Sequence, residues 1–194
     1  AGQDTGNSVG IIGGGPAGLA AAHELRLHGH AVTIYEANEM LGGLNINGVA
    51  PYKMKADAAE REVNWILEIG GIEVRTGVRV GEDISFEDIS AKHDAVFVGI
   101  GLGPDNHLGT PGEKLEGVYG AVDWIAQIKL GNFDLSSVQH AVVVGGGNTA
   151  LDCVRELAQL GVPKVTMAYR GNEAGMSGYA HEWAAAKTEN ASAF

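Results

Sequence analysis

Residues 9–36 read VGIIGGGPAGLAAAHELRLHGHAVTIYE, and the order of patterns in them decides the fold. Val9 to Ile12 is a short apolar run of strand type. The glycine turn Gly13-Gly14-Gly15-Pro16-Ala17-Gly18 follows it directly. From Leu19 the pattern becomes helical, through Ala20, Ala21, Ala22, Leu25 and Leu27, and it stops at Gly29. Ala31 to Tyr35 is a second apolar, β-branched run. Strand, turn, helix and strand in so short a span make a βαβ unit.

The turn has the spacing of a dinucleotide fingerprint, and its place between a strand and a helix gives that spacing meaning. Gly13 allows the tight turn, Gly15 lets the backbone approach a pyrophosphate, and Gly18 permits close packing of helix on strand. The helix N-terminus then offers unpaired N–H groups to phosphate oxygens. Glu36 ends the second strand, where a carboxylate accepts hydrogen bonds from a ribose. The bland alternative is a glycine-rich turn beside an ordinary exposed glutamate.

The same device returns further along. Ala141 to Val144 is followed by Gly145-Gly146-Gly147-Asn148-Thr149-Ala150, a helix, Gly161 and a strand-like run from Lys164 to Tyr169. When Gly13 is laid on Gly145, Gly15 meets Gly147, Glu24-Leu25 meets Glu156-Leu157, and Gly29 meets Gly161. Two differences stand out. Ala150 replaces the third glycine, which suits slightly wider helix–strand packing, and the second strand ends in Tyr169-Arg170 rather than in an acid. A carboxylate there would repel a 2′-phosphate, whereas a guanidinium binds one. The first turn therefore reads as a site for an adenosine with a free ribose and the second as a site for NADP. The alternative for Arg170 is a solvated surface charge.

Between the two devices, Ala56 to Ile69 reads as an amphipathic helix with a Gly70-Gly71 stop. Ile72 to Val80 is strand-like but broken at Gly77, and Ala95 to Ile100 is a buried-strand candidate. Gly103 to Gly117, with Pro104 and Pro111, has linker composition, and a helix is expected around Val122 to Leu130. The expected architecture is α/β, with two Rossmann-like three-layer dinucleotide-binding domains, the second incomplete. Their expected bounds are a polar tail at 1–7, a first domain at 8–104 and a second at 105–194.

Composition narrows the function classes. The chain has 194 residues with 13 Lys and Arg against 24 Asp and Glu, a net charge of −11, so phosphate backbones and anionic membranes are poor partners. No apolar run is long enough for a membrane span, and the opening residues carry no signal-peptide pattern. A cytoplasmic setting is expected. The single cysteine, Cys153, excludes an internal disulfide, a redox CxxC pair and a cysteine-ligated cluster within these residues. Its place on the second helix reads as a small buried thiol. His23, His28 and His30 fall on a helix and its exit without further ligands at metal spacing, so no metal site is expected. His181-Glu182 lacks the second histidine of a zinc hydrolase motif, and no GxSxG elbow is present.

The stretches VGIIGGGPAGLAAAHEL, VTIYEANEMLGGL, DAVFVGIGLG, PGEKLEGVYGAVDWI, VVVGGGNTALDCVREL and VTMAYR carry a resemblance over most of the chain. The sequence resembles the flavoprotein family of the glutamate synthase small subunit, which includes the electron-entry part of dihydropyrimidine dehydrogenase. The wording FVGIGLG and GVYGAVDWI looks most like the latter branch. The resemblance implies FAD and NADP as cofactors, with NAD the alternative to NADP. It implies that Gly13, Gly14, Gly15, Pro16, Ala17, Gly18 and Glu36 hold the FAD pyrophosphate and ribose. Gly43, Leu44 and Lys53 would line the flavin side, Val80 would meet the adenine side through its backbone, and Gly101 would join the cofactor-binding set. Gly145, Gly147, Asn148, Thr149 and Arg170 would meet NADPH.

Two departures bear on those roles. Ala50 precedes Pro51 where many relatives have proline, and Gly171 follows Arg170 where a second basic residue is common. The family also carries a cysteine-rich iron–sulfur region and continues past the second unit, so this chain is read as a fragment or a much-shortened relative. A half-built parallel sheet leaves an open edge, and association with itself or a partner is expected.

The function implied is oxidation of NADPH by FAD, with electrons passed to an iron–sulfur domain or catalytic subunit. No general acid or base is named, because hydride transfer needs none. The rivals are another two-dinucleotide flavoenzyme, such as a ferredoxin-type reductase or flavin monooxygenase, and a nucleotide-binding or assembly module without turnover.

Overall fold

The computed structural model describes residues 1–103, 105–189 and 191–193; Pro104, at the expected domain boundary, lies outside the described residues. The chain divides into two compact units, Ala1–Val49 with Met54–Gly103, and Ala50–Lys53 with Pro104–Phe194.

The first unit runs β1 (Ser8–Ile12), α1 (Pro16–Leu27), β2 (Ala31–Tyr35), one-turn α2 (Leu44–Asn47), α3 (Ala56–Leu67), β3 (Ile72–Arg75), α4 (Phe86–Lys92) and β4 (Ala95–Val98). All four strands are parallel in the order β3-β2-β1-β4. In register, Ile11 lies opposite Ile34 on one side and Phe97 on the other. Side chains alternate across a strand, and both faces of a parallel sheet need cover. Ile11, Val32 and Ile34 pack under Leu19 and Ala22 of α1 and Val63 of α3. On the other face Ile12 and Tyr35 pack under Ile89 of α4. The unit therefore has three layers.

The strand expected from Ile72 to Val80 ends at Arg75, because Gly77 turns the chain at φ +65° and donates its N–H to Asn38 O. Val80 keeps only an isolated bridge to Ile84. The strand expected from Ala95 to Ile100 likewise ends at Val98. The polar opening residues are pinned: Gly2 N–H donates to Arg26 O, and Thr5 N–H donates to Gly29 O.

The second unit holds α5 (Ala121–Lys129), β5 (His140–Val144), α6 (Asn148–Gln159), β6 (Lys164–Ala168), a 3₁₀ turn at Glu173–Gly175, α7 (Ala180–Thr188) and β7 (Ala191–Ala193). Its strands are parallel in the order β5-β6-β7. Trp124 and Ile125 of α5, Leu151, Val154 and Leu157 of α6, Val165 and Met167 of β6, and Trp183 of α7 form one buried core. The outer face of β5 is open, with Val142 and Val144 57% and 62% exposed. Beyond the two strands legible in the sequence, this unit has a crossover helix and a third parallel strand. Among the described residues, no helix is long and apolar enough to cross a membrane.

Candidate dinucleotide-binding sites

The first glycine turn joins the C-terminal end of β1 to α1, where a parallel sheet presents its ligands. Two of its glycines have a structural reason to be glycine. Gly13 sits at φ +102°, and a β-carbon on it would run into the Gly99 carbonyl. A β-carbon on Gly18 would run into the carbonyl oxygen of Gly13. Gly15 has neither constraint. Its φ of −75° suits any residue, and the nearest atom to an added β-carbon is Gly43 Cα at 3.8 Å. The space beside Gly15 is what a side chain would fill and a ligand can use. Among the described residues, the N–H groups of Gly15, Ala17 and Gly18 have no acceptor. These free donors at the start of a 12-residue helix match a pyrophosphate.

Glu36 closes this site from β2. Its carboxylate is 6% exposed. Oε2 accepts the Gly14 N–H at 2.7 Å, while Oε1 accepts the backbone N–H and the side-chain amide of Asn38, both at 2.8 Å. The two bonds fill the lone-pair sites of Oε1, while Oε2 keeps one for a further donor. Gly43 starts α2 at φ +50°, its backbone close to Gly15, and Leu44 beside it is 47% exposed. Val80 is half-buried against the Tyr35 face of the sheet. Gly101 is exposed at φ +73°, with open space around it.

The second turn repeats the geometry. Gly145 has φ +138°, while Gly147 has φ −91° and only Ser177 Oγ, at 3.6 Å, near an added β-carbon. The N–H groups of Gly147, Asn148, Thr149 and Ala150 have no acceptor among the described residues. Ala150, in the place of Gly18, is 8% exposed. The Asn148 side chain is already used: its Oδ1 accepts the Tyr179 N–H at 2.9 Å. Gly178 N–H donates to Gly146 O at 2.9 Å, so the loop leading to α7 packs across the turn. The Tyr169 ring lies where a β-carbon on Gly146 would point, and its hydroxyl donates to Gly175 O. Arg170 is exposed and makes no hydrogen bond or ion pair among the described residues.

Lys53 packs in the second unit, with Nζ 2.6 Å from Asp152 Oδ1 of α6 and 2.9 Å from Glu182 Oε1 of α7. The Tyr52 hydroxyl reaches the same two carboxylates at 2.7 and 2.8 Å. Burial alone lowers the pKa of the Lys53 ammonium, but its hydrogen bonds to Asp152 and Glu182 outweigh that and raise it. Glu182 is held below the usual range, its burial outweighed by bonds from Lys53 and Tyr52. The Tyr52 hydroxyl is raised by burial and by both carboxylates. Sequence reasoning missed Asp152 and Glu182 as partners, because nothing local links them to Tyr52, 100 and 130 positions away, or to its neighbour Lys53.

His28 pairs with Glu24, His30 with Thr5, and His23 stacks on Trp65. No group of three or more metal-ligating side chains occurs among the described residues. Cys153 is buried, its thiol pushed up to about 12 by burial first and by Asp152 and Asp105 next.

Two glycine turns of this kind, each on its own parallel sheet, define a protein of the two-dinucleotide-binding class. The chain belongs to the pyridine nucleotide-disulphide oxidoreductase family, whose model matches residues 7–193. It is 36% identical to the glutamate synthase [NADPH] small chain of Azospirillum brasilense, over 96% of this chain and 41% of that one. It is 36% identical to the NADP(+)-dependent formate dehydrogenase subunit beta of Moorella thermoacetica, over 95% of this chain and 26% of that one. Among solved structures it matches FprA of Mycobacterium tuberculosis in complex with NADPH, with TM-score 0.74 and 25% identity over 95% of this chain and 48% of that one. The chain spans less than half the length of these relatives.

Proposed function

We propose that this chain carries the FAD- and NADPH-binding parts of a flavin-dependent NADPH oxidoreductase that passes electrons to an iron–sulfur domain or subunit. The observation that carries the reading is the pair Gly15 and Gly147. Neither needs to be glycine for its backbone or its packing, and each leaves room beside a row of free N–H groups. The relatives named for NADPH and NADP(+) support the second cofactor.

In this reading Gly13 to Gly18 hold the FAD pyrophosphate, with Glu36 holding its ribose and the Gly43, Leu44, Val80 and Gly101 region continuing the site. The second turn, Gly145 to Thr149, holds the NADPH pyrophosphate, and Arg170 takes the 2′-phosphate. The chemistry the bound pair supplies is hydride transfer from nicotinamide to flavin, then release of electrons one at a time. The protein binds, orients and excludes water. The phrases FVGIGLG and GVYGAVDWI support the dihydropyrimidine dehydrogenase branch for the acceptor side.

The test is the visible spectrum of the chain loaded with FAD, followed by NADPH without oxygen. A flavin band that NADPH bleaches is expected. A flavin band that ignores NADPH, with no NADPH binding by calorimetry, contradicts the second assignment.

A further inference from the structure

Lys53 is held by carboxylates of the second unit, and those surroundings give it a role there. Asp152 and Glu182 come from two different helices, α6 and α7, and converge on one point. Two carboxylates at one point repel each other and push their helices apart. What offsets the repulsion is a pair of neighbouring residues, the Tyr52 hydroxyl and the Lys53 ammonium, each touching both acids. Arg155 adds to this from α6, 3.8 Å from Glu182 and seated over the Tyr52 ring at 4.3 Å. The Tyr52 backbone N–H also donates to Glu156 at 3.2 Å.

The position of this clasp matters. Asp152 lies one turn beyond Asn148, the first residue of α6, and Glu182 lies in the first turn of α7. Those two helix starts are joined directly by the Tyr179 N–H to Asn148 Oδ1 bond, with the Gly178 N–H to Gly146 O bond beside it. Holding Asp152 and Glu182 together therefore holds the loop before α7 against the second glycine turn.

We propose that Tyr52 and Lys53 are positioning residues for the pyridine nucleotide site, clasping α6 to α7 through Asp152 and Glu182. The inference rests on the reading of the second turn as the NADPH site. It also gives the segment Ala50–Lys53, which lies in sequence between stretches of the first unit, a reason to pack in the second.

The test uses the full chain with Lys53→Met, Lys53→Arg, Asp152→Asn and the Lys53→Met/Asp152→Asn pair. Calorimetry follows FAD and NADPH separately, and amide exchange is followed at Gly178 and Tyr179 without nucleotide. Lys53→Met is expected to weaken NADPH binding about tenfold, the scale of coupling between contacting charged groups, and to leave FAD binding unchanged. It is also expected to speed exchange at Gly178 and Tyr179. Lys53→Arg keeps the clasp, and Asp152→Asn added to Lys53→Met restores most of the loss by removing the repulsion. Weaker FAD binding with NADPH binding intact would overturn the proposal, as would a double variant no better than Lys53→Met. If the unmodified chain binds no NADPH, the reading of the second site fails. The exchange rates at Gly178 and Tyr179 still decide the clasp: unchanged rates in Lys53→Met overturn it.

Discussion

The buried carboxylate of Glu36 accepts the N–H of Gly14 at 2.7 Å, so the acid at the end of β2 is built into the glycine turn that follows β1. Its other oxygen takes two donors from Asn38. Glu36→Gln keeps one acceptor and turns an N–H donor toward Gly14 or Asn38. A buried donor left facing another costs about 1–3 kcal/mol. Denaturant melts should show that loss, with weaker FAD binding alongside it. Full stability with weakened FAD binding would leave Glu36 a ligand residue only.

Arg170 is exposed and makes no hydrogen bond or ion pair among the described residues, in contrast to the busy Glu36. If it takes the 2′-phosphate, Arg170→Ala weakens NADPH by about tenfold to a hundredfold, the worth of one charge-assisted hydrogen bond. NADH, which lacks that phosphate, is unaffected. Calorimetry with both nucleotides checks it, and equal losses for the two would remove Arg170 from the specificity argument.

The strand, turn, helix and strand of each unit were legible because period, glycine spacing and helix stops agreed in one short span. Other elements were not. Helix α4 escaped notice although Ser85 caps it by accepting the Asp88 N–H, a Ser-x-x-Asp signal lost in a polar stretch. Strand β7 reads Ala-Ser-Ala, which has no strand propensity of its own and pairs only because β6 offers an edge. The placement of the glycines and of Glu36 at the turn is readable from spacing, whereas the carboxylate partners of Lys53 are not. A side chain of that length takes whatever carboxylates the tertiary fold brings to it.

The bidentate contact of Arg155 with Glu189 sets an acid limb for the second unit. Arg155 Nε and Nη2 donate to the two Glu189 oxygens at 3.1 Å, and this hydrogen bonding holds the Glu189 carboxyl below its ordinary 4.5. A depressed folded pKa adds stability above the unfolded value and loses it as pH falls through the folded one. Melting temperature should therefore drop between neutral pH and the region below 4.5, and less steeply in Glu189→Gln. Glu156 runs the other way: burial raises its pKa, so protonation there favours the fold as pH falls. A Glu189→Gln profile parallel to the parent would discount the pair.

Cys153 is 4% exposed on α6, and burial pushes its thiol up to about 12. A thiol that is both buried and protonated is inert. A thiol reagent at pH 8 should label it only as fast as the second unit opens, and denaturant should release one equivalent per chain. Immediate labelling of the folded chain would contradict the packing of α6 on its core.

If each glycine turn holds its own dinucleotide, the glycines without a structural need are where binding breaks without loss of fold. Gly15 and Gly147 accept a methyl group in their backbone conformations and meet no atom closer than 3.6 Å. Separate calorimetric titrations of FAD and NADPH into the parent chain, Gly15→Ala and Gly147→Ala should give three patterns. The parent binds both, Gly15→Ala melts as the parent does but loses FAD alone, and Gly147→Ala loses NADPH alone. Parent-like binding of both ligands by the two variants, or a folded parent that takes up neither, would mean that the turns do not hold the dinucleotides.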